Sequence, residues 1–332
     1  MTEDRGIELA RLIDESPDDT EAFRVYADYL EEIGDPRATL IRLQMTRARL
    51  EDRTKLEHLE IRLAEHLERH REEFLGPLAK VLPSPKSSKV AREGGPQLEW
   101  RNGFVYKADL RQIKRMPIHR LLDHLLAHPS GRFVVELAGL VAEDPEGMVA
   151  VLAARAPRSL RRLEISATDG SRSTSIASIW PRLEHLEEIR ISNVTALGEI
   201  ALPNLVRASV DVSDPALLAS LATAHWPKLA RLRLRIWPEK ATADQVLAVF
   251  ANQLPALRSV ELQFDRPTAA LLPRLAELPV GKLLTELEVR VSTEIVDALA
   301  HSAFQLELLR IGGMYPDPRP RLAHLAKQIE LT

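Results

Sequence analysis

One apolar pattern recurs seven times after residue 157 and limits what this chain can fold into. It has the form Φ-x-x-Φ-x-Φ, where Φ is an apolar residue, and successive copies start 26, 19, 24, 28, 27 and 22 residues apart. The copies start at Leu160, Leu186, Leu205, Leu229, Leu257, Leu284 and Leu306. A period of about 20 to 29 residues is typical of a solenoid, in which each repeat packs on the next. Because solenoids usually bind a partner along one face, the pattern favours recognition over catalysis.

Composition excludes several classes of function. Of the 332 residues, 45% are hydrophobic and 28% are charged, which is typical of a globular protein. The formal net charge of -3 disfavours a dedicated nucleic-acid binder. Cysteine is absent, which rules out disulfides, thiolate zinc sites and cysteine nucleophiles. The start of the chain, MTEDRGIELARL, lacks the apolar run of a secretory signal, and no stretch reaches the roughly 18 apolar residues of a membrane span. We therefore expect a cytoplasmic protein without membrane contact.

The first 80 residues predict a small all-helical domain. Ser16-Pro17-Asp18-Asp19 is typical of a helix start, with a capping side chain ahead of proline in the first turn. Apolar positions 23, 26, 27 and 30 then share one helical face, and Gly34 predicts the end of this helix. A further helical stretch runs from Ala38 towards Phe74, with an interruption near Asp52.

The rest of the chain predicts a linker followed by alternating strands and helices. Residues 81–97 predict a linker or exposed loop, because Pro, Ser and Gly cluster there and apolar periodicity stops. Residues 98–332 predict the repeat region, with helices at 214–224, 243–254, 268–278 and 293–304 between copies of the strand pattern. Two weaker copies at 104–110 and 133–140 bring the expected number of strands to nine, and 321–331 predicts a short closing helix.

Four short segments in the N-terminal region carry a resemblance to a known family. They are Pro17-Asp18-Asp19, Tyr26-Ala27-Asp28-Tyr29-Leu30-Glu31-Glu32, Gly34-Asp35-Pro36-Arg37-Ala38 and Ile41-Arg42-Leu43-Gln44. Over about residues 7 to 50 they resemble a short bacterial repeat-companion domain found ahead of repeat arrays. The sequence departs from that family at Tyr29, where Trp is usual, and at Thr39-Leu40, where an acidic-aromatic pair is usual. Trp100-Arg101-Asn102-Gly103-Phe104-Val105 is similar to the segment that often opens the repeats in these proteins, and the resemblance implies architecture rather than chemistry.

The strand pattern over about residues 130 to 312 resembles leucine-rich repeats. The family's Asn, three residues after the last strand leucine, is missing, so we expect irregular turns. Its place is taken by Thr168, Val194, Ser213, Trp237, Asp265 and Ser292. The resemblance implies an α/β fold, namely a right-handed solenoid with a concave parallel sheet, preceded by the small all-α domain.

The side chains between the Φ positions are expected to project from the concave face, because successive residues of a strand point to opposite faces. Most of these side chains are charged, and the strand at 231–235 carries three arginines. The residues are Arg162, Glu164, Ser166, Glu188, Arg190, Ser192, Arg207, Ser209, Asp211, Arg231, Arg233, Arg235, Ser259, Glu261, Gln263, Glu286, Glu288 and Arg290.

Two interpretations of the arginine strand remain open. Arg231, Arg233 and Arg235 are suited to bind carboxylates of an acidic peptide or protein surface. Alternatively, the face is a ladder of cross-strand ion pairs, each worth at most about 1 kcal/mol when exposed. Trp237, just beyond the strand, either anchors a partner or covers the repeat turn.

Other motifs give no sign of catalysis or of a bound metal or cofactor. His66 and His70, and likewise His124 and His128, have the i, i+4 spacing of metal ligands, but neither pair has a third ligand or the order of an HExxH site. Gly94-Gly95 and Gly312-Gly313 are interpreted as turns, since no phosphate-binding glycine motif is present. No Gly-x-Ser-x-Gly sequence supplies a serine nucleophile.

The sequence therefore predicts a non-catalytic recognition or scaffold protein that binds a protein partner through its sheet face. The candidate contact residues are Arg207, Arg231, Arg233, Arg235, Trp237, Glu188, Arg190, Glu261, Glu286 and Glu288. A regulator or enzyme with a site assembled from distant loops is an alternative, as is nucleic-acid binding through the arginine strand. The low aromatic content of 5% and the acidic neighbouring strands disfavour nucleic acid. The N-terminal helices are expected either to cap the solenoid or to bind a partner.

Overall fold

The computed structural model describes residues 2–82, 97–110, 116–168, 175–237, 241–264, 270–290, 293–312 and 317–332. Outside these residues lies most of the predicted linker, including Gly94 and Gly95. Gly313 also lies outside them. The chain divides into two compact units, Met1–Ile165 and Ser166–Thr332. Both units mix helices with strands, and the described strands number eleven, ordered in the sheet as they are in the chain.

The first unit begins with helices. Their bounds are α1 Thr2–Glu15, α2 Thr20–Glu32, α3 Arg37–Ala48, α4 Arg53–Arg69 and α5 Arg71–Leu75, followed by a 3₁₀ turn at Gly76–Lys80. The interruption near Asp52 is confirmed, since that side chain caps α4 by accepting a hydrogen bond from the Lys55 backbone at 3.0 Å. The end of α2 at Gly34 is also confirmed, because this glycine takes a left-handed φ of 74°.

The predicted cap of α2 is wrong by one turn. Ser16-Pro17-Asp18-Asp19 forms a turn closed by the Asp19 backbone N–H on the Ser16 carbonyl at 3.0 Å. Asp19, not Ser16, caps the helix, accepting from the Glu21 N–H at 2.9 Å. Both residue types are good caps. The helix begins after Asp19, which is closer in sequence to Phe23, the first residue of the apolar face.

The strands of the first unit follow the helices. They are β1 Gln97–Arg101, β2 Phe104–Asp109, β3 Glu136–Ala142 and β4 Arg162–Ala167, and the boundary between the units falls within β4. The strands β1 and β2 form an antiparallel hairpin, whereas β2 and β3 are parallel. Helices α6 Ile118–Ala127 and α7 Pro145–Arg155 and a 3₁₀ turn at Pro129–Gly131 complete this unit.

The N-terminal helices and the first strands of this unit share one hydrophobic core. Phe104 of β2 has its ring centroid 4.8 Å from Phe133 and 6.0 Å from Phe23 of α2, and Tyr26 is 5.9 Å from the Phe104 ring. Ala10, Ile13, Ala27, Leu30, Ala38 and Ile41 pack around these rings. The apolar face predicted for α2 is therefore buried against strand residues.

A glutamine of α3 holds the β1–β2 hairpin against the helices. Gln44 donates to the Trp100 carbonyl at 2.9 Å and accepts from the Gly103 N–H at 2.7 Å. Gly103 has a φ of 80°, and a Cβ there would lie 2.5 Å from Ile41 Cγ1, so the turn needs glycine for two reasons. Two segments quoted for the repeat-companion resemblance thus meet at this turn.

The second unit contains seven further strands. They are β5 Glu188–Ser192, β6 Arg207–Val212, β7 Arg231–Ile236, β8 Ser259–Phe264, β9 Glu286–Arg290, β10 Leu306–Gly312 and β11 Ala326–Leu331. From β5 to β11, each strand pairs with the next in parallel orientation. Helices lie between them in sequence at α8 Pro215–Ala222, α9 Ala243–Ala251, α10 Leu271–Glu277, α11 Thr293–Ala300 and α12 Arg319–Leu322, with 3₁₀ turns at Ala177–Arg182 and Gly281–Leu283.

The Φ positions form the core beneath the strands. In all seven copies these side chains are buried, with at most 4% of their surface exposed. Burying a leucine or valine side chain contributes about 1.5 to 3 kcal/mol, so the repeat pattern is a major source of stability. The structure confirms the strand prediction on which the repeat interpretation was based.

Two strands were not predicted. The strand β1 lies at the edge of the predicted linker, and β11 replaces most of the closing helix expected at 321–331, where only α12 is helical. In β11, Ile329 and Leu331 pair with Leu309 and Ile311 of β10 in parallel register. Tertiary pairing with β10 therefore overrides the local helical preference of this segment.

Candidate functional site

Charged side chains of the second unit stand in three rows across the parallel strands, and we call this surface the charged face. Its positions alternate with the buried Φ positions, and strand register places equivalent positions side by side. The first row contains Glu188, Arg207, Arg231, Ser259 and Glu286, and the second contains Arg190, Ser209, Arg233, Glu261, Glu288 and Arg310. The third row contains Asp211, Arg235 and Gln263, and Arg290 extends it on β9, one residue beyond the paired Leu262 and Val289.

At one side of the first row, a single glutamate neutralises two arginines. Glu188 Oε2 is 2.9 Å from Arg207 Nε on the next strand, and Oε1 is 3.0 Å from Arg190 Nη2 on its own strand. The Glu188 side chain is mostly buried between them, while both arginines remain about half exposed or more. These three predicted contact residues are therefore brought together as one cluster.

Further along the first row, an ion pair between Arg231 of β7 and Glu286 of β9 reaches across β8. Arg231 Nη2 is 3.3 Å from Glu286 Oε2, and the Ser259 hydroxyl between them accepts from Arg231 Nε at 3.3 Å and donates to Glu286 at 3.2 Å. Arg310 Nη1 approaches the same Glu286 oxygen at 3.6 Å, and its Nε pairs with Glu330 at 2.9 Å. Glu286 is thus another carboxylate shared between two arginines.

In the second row, Arg233 faces Glu261. Its Nε is 3.0 Å from Glu261 Oε1, yet this buried nitrogen has no well-directed hydrogen bond. The contact is therefore mainly electrostatic, since a hydrogen bond requires the N–H to point at its acceptor. Gln263 donates to the same Glu261 oxygen at 2.6 Å.

Two carboxylates of the charged face lack such partners among the described residues. Glu288 lies opposite Glu261, and burial, followed by that neighbouring negative charge, raises the pKa of Glu288 despite nearby arginines. Burial likewise raises the pKa of Asp211, with Arg235 and Arg233 opposing the shift. Neither carboxylate forms an ion pair within 4.0 Å in the described part of the chain.

At the end of β7, Arg235 stacks on Trp237. The guanidinium carbon is 4.5 Å from the ring centroid, within the range of a cation–π contact, and 39% of Trp237 remains exposed. The structure thus places the predicted anchor on the surface, beside the arginine strand. The predicted stripe itself is divided, because Arg231 and Arg233 have carboxylate partners and Arg235 has an aromatic one.

The first unit repeats the arrangement of one glutamate between two cations. Glu136 of β3 is 2.5 Å from Lys107 Nζ of β2 and 2.7 Å from Arg162 Nη1 of β4. Burial alone would raise the pKa of Glu136, but hydrogen bonds from these two cations lower it below its usual value. Glu136 had not been identified from sequence, because only strand pairing brings it next to Arg162.

Three of the four histidines in the predicted pairs contact other protein atoms. His66 Nε2 is 2.9 Å from the Pro36 carbonyl, His70 Nδ1 is 3.0 Å from Glu73, and His128 Nδ1 accepts from the Ser130 N–H at 3.2 Å. Burial lowers the pKa of His66 and of His128. Within the described ranges, no three His, Cys, Asp or Glu side chains are arranged to hold a metal ion. In the same ranges, no helix combines the length and apolar character needed to cross a bilayer.

Asp14, near the end of α1, was also not singled out from sequence. Burial raises the pKa of its carboxyl from 3.8 to about 6, although Arg132, Arg158 and Arg161 oppose the shift. These arginines are far away in sequence, so no local motif predicts the cluster. Arg161 also donates to the Asp14 backbone carbonyl at 3.4 Å.

Replacing Asp14 with Asn should stabilise the protein at high pH. The folded-state pKa of Asp14 lies above the unfolded value, so its stabilising contribution is complete below pH 3.8 and is lost as pH rises through about 6. The partly exposed carboxyl is screened by solvent, so we expect a gain of about 1 to 2 kcal/mol at pH 8 and little difference near pH 4. Urea unfolding at both pH values measures it, with exposed Glu8→Gln on the same helix as control. A less stable Asp14→Asn variant at pH 8 would contradict the burial effect.

No protein-family model matches the sequence, and no curated protein is similar to it. A crystal structure of a Bacteroides fragilis protein, determined as a structural genomics target, is similar over 83% of both chains, with 14% identity and a TM-score of 0.47. The proposed function therefore depends on the residues of this chain.

Proposed function

We propose that the protein is a leucine-rich-repeat-like solenoid whose charged face lies on a concave parallel sheet, with the N-terminal helices as its cap. The buried Φ positions of the seven copies support the repeat interpretation. The core that α1 to α3 share with β2 supports capping, because a terminal repeat without such a cover would expose apolar surface.

The function that the charged face supports best is non-catalytic recognition of a protein partner. The observation that carries the proposal is the register of charged side chains on successive parallel strands from β5 to β10. Side chains on rigid strands, held by ion pairs, lose little further conformational freedom on binding. A fixed pattern of charges contributes specificity, because a wrong partner meets like charges.

The ion pairs disfavour nucleic acid as the partner. Arg231 and Arg233 each lie next to a glutamate, so a phosphate approaching either arginine would also approach a carboxylate. Phosphate binding depends on cations that release counterions from the nucleic acid, and an arginine already paired with a carboxylate contributes less to it. A protein surface can match both signs of the pattern.

Exchanging the charges of one pair tests this function. In the Arg233→Glu, Glu261→Arg variant the ion pair can still form, but its polarity is reversed, so a complementary partner should be captured at least tenfold less. The measurement is quantitative mass spectrometry of proteins captured from native lysate by the immobilised full chain. Changing all three arginines to Glu is less informative, because it places new carboxylates beside Glu261 and Glu286 and would also lower stability.

The matched control exchanges a pair of the same unit on its helices. Arg274 Nη1 and Asp244 Oδ1 are 2.7 Å apart on α10 and α9, and both side chains are more than half exposed. Capture should be unchanged by Arg274→Asp, Asp244→Arg. Equal capture by both exchanged variants would rule out the charged face as the contact surface, and capture that disappears with nuclease treatment would indicate nucleic acid.

A further inference from the structure

The arginines of the charged face differ in whether a carboxylate already neutralises them. In the first two rows Arg190, Arg207, Arg231, Arg233 and Arg310 each have a carboxylate oxygen within 3.3 Å. In the third row Arg235 and Arg290 have none within 4.0 Å in the described part of the chain. Binding energy from a new carboxylate is therefore greatest at the third row, because no existing pair must be broken there.

The Arg235 side chain is restrained by an aromatic neighbour and has no carboxylate partner among the described residues. Its strand neighbours in register are Asp211 and the neutral Gln263, and it forms no ion pair with Asp211 within 4.0 Å. Instead the guanidinium lies over the Trp237 ring, with its central carbon 4.5 Å from the ring centroid, and this contact restrains the side chain. Holding the side chain in place lowers the entropy lost when a carboxylate binds.

Arg290 occupies the same row two strands away. It is exposed and lies opposite Gly312 of β10, and its Cγ is only 3.6 Å from where a Cβ on Gly312 would be. The glycine therefore leaves room for the arginine stem to lie over β10. Since neighbouring strands are about 4.8 Å apart, the backbones of Arg235 and Arg290 are about 10 Å apart.

We propose that the third row binds an acidic segment of the partner protein, with one carboxylate at Arg235, a second at Arg290 and an apolar side chain on Trp237. This inference rests on the proposed recognition function and makes it more specific. Each guanidinium presents a fork of donors that matches a carboxylate. Aromatic and arginine side chains are also those that contribute most at protein interfaces.

The charges of the row fit this occupant better than a basic one. Two arginines face the ligand, while the row's carboxylate, Asp211, is half-buried. A lysine-rich segment would meet both cations and only this one poorly accessible carboxylate. An acidic segment with one carboxylate at each arginine would satisfy both without displacing any observed ion pair.

The test uses random twelve-residue peptides displayed on phage and selected on the immobilised full chain. We expect the selected peptides to be enriched in Asp and Glu beside an apolar residue. The dissociation constant of the most enriched synthetic peptide, measured by fluorescence anisotropy, should rise at least tenfold with Arg235→Gln, Arg290→Gln or Trp237→Ala. The control is Arg182→Gln, an exposed arginine in the 3₁₀ turn before β5, for which affinity should change less than twofold.

The outcomes separate this inference from the function on which it rests. Selected peptides rich in Lys or Arg, or acidic peptides whose affinity is insensitive to Arg235→Gln and Arg290→Gln, would overturn the third-row assignment. A selection without any peptide sensitive to these variants would do the same. Recognition by the charged face is decided separately, by partner capture with the Arg233→Glu, Glu261→Arg variant. If the Arg233→Glu, Glu261→Arg variant loses partner capture while Arg235→Gln and Arg290→Gln leave peptide affinity unchanged, recognition by the charged face is retained. The acidic segment then binds elsewhere on that face.

Discussion

Replacing Gly281 with alanine should lower the free energy of unfolding by at least about 2 kcal/mol, measured by urea unfolding of the full chain. Gly281 is buried at the start of the 3₁₀ turn that follows α10. A Cβ at this position would lie closer than 3.0 Å to the backbone carbonyl oxygen of Leu275. The obstacle is main chain at the end of a helix, which cannot rotate away as a side chain can.

The same close approach occurs at Gly131 in the first unit. Gly131 follows α6 at an equivalent place, and a Cβ there would be equally close to the Leu125 carbonyl oxygen. Residues 121–131 and 271–281 share the pattern Leu-Leu-x-x-Leu-x-x-x-Pro-x-Gly. The leucines are buried, the proline follows the helix end, and the glycine lets the chain pass close to the last helical turn before the next strand. Gly131→Ala should therefore be as destabilising as Gly281→Ala.

Two other glycines provide controls for the glycine prediction. Gly312 has no backbone atom within 3.4 Å of a potential Cβ, its nearest neighbour being the Thr332 hydroxyl at 3.3 Å, so Gly312→Ala should change stability by less than about 1 kcal/mol. Gly34 has open space around it but a φ of 74°, so Gly34→Ala should show only the backbone cost of about 1 to 2 kcal/mol. If Gly281→Ala were no more destabilising than Gly312→Ala, the close approach to Leu275 would not be a constraint.

The sequence predicted the elements that depend on local pattern. Burial of one side of each strand requires apolar residues at fixed spacing, so the seven copies alone predict β4 to β10. Helix ends at Gly34 and Asp52 were predicted for the same reason, since caps and left-handed turns select residue types. The Leu-Leu-x-x-Leu-x-x-x-Pro-x-Gly pattern was also readable but was missed, because it occurs only twice.

Contacts that depend on strand register could not be predicted from local pattern. Arg231 and Arg233 look alike in sequence, yet the residues of β8 and β9 that stand beside them determine that both are paired with glutamates. Arg235 differs only because Asp211 and Gln263 are its neighbours and Trp237 follows two residues later. The raised pKa of Asp14 likewise depends on arginines that only the folded chain brings close.

Replacing Phe104 with alanine should destabilise the protein by about 3 to 5 kcal/mol, the range for truncating a buried phenylalanine. Only 1% of Phe104 is exposed, and its ring contacts Phe23 and Tyr26 of α2 as well as Phe133 ahead of β3. The cavity would therefore open between the helices and the strands of the first unit. Amide hydrogen exchange should accelerate together in α2 and in β2 and β3, because elements that share a core lose protection as one cooperative group.

This result bears on the domain boundaries predicted from sequence. A helical domain at 1–80 that is stable without the strands would keep α2 protected when Phe104 is truncated, and only β2 and β3 would exchange faster. Joint acceleration would show that the helices need the strand core, as expected of a cap. The control is Ile61→Ala on α4, a side chain 56% exposed, for which stability should change by less than about 0.5 kcal/mol. Because the helices supply Phe23 and Tyr26 to the core while β2 supplies Phe104, we expect neither part to retain its native stability alone.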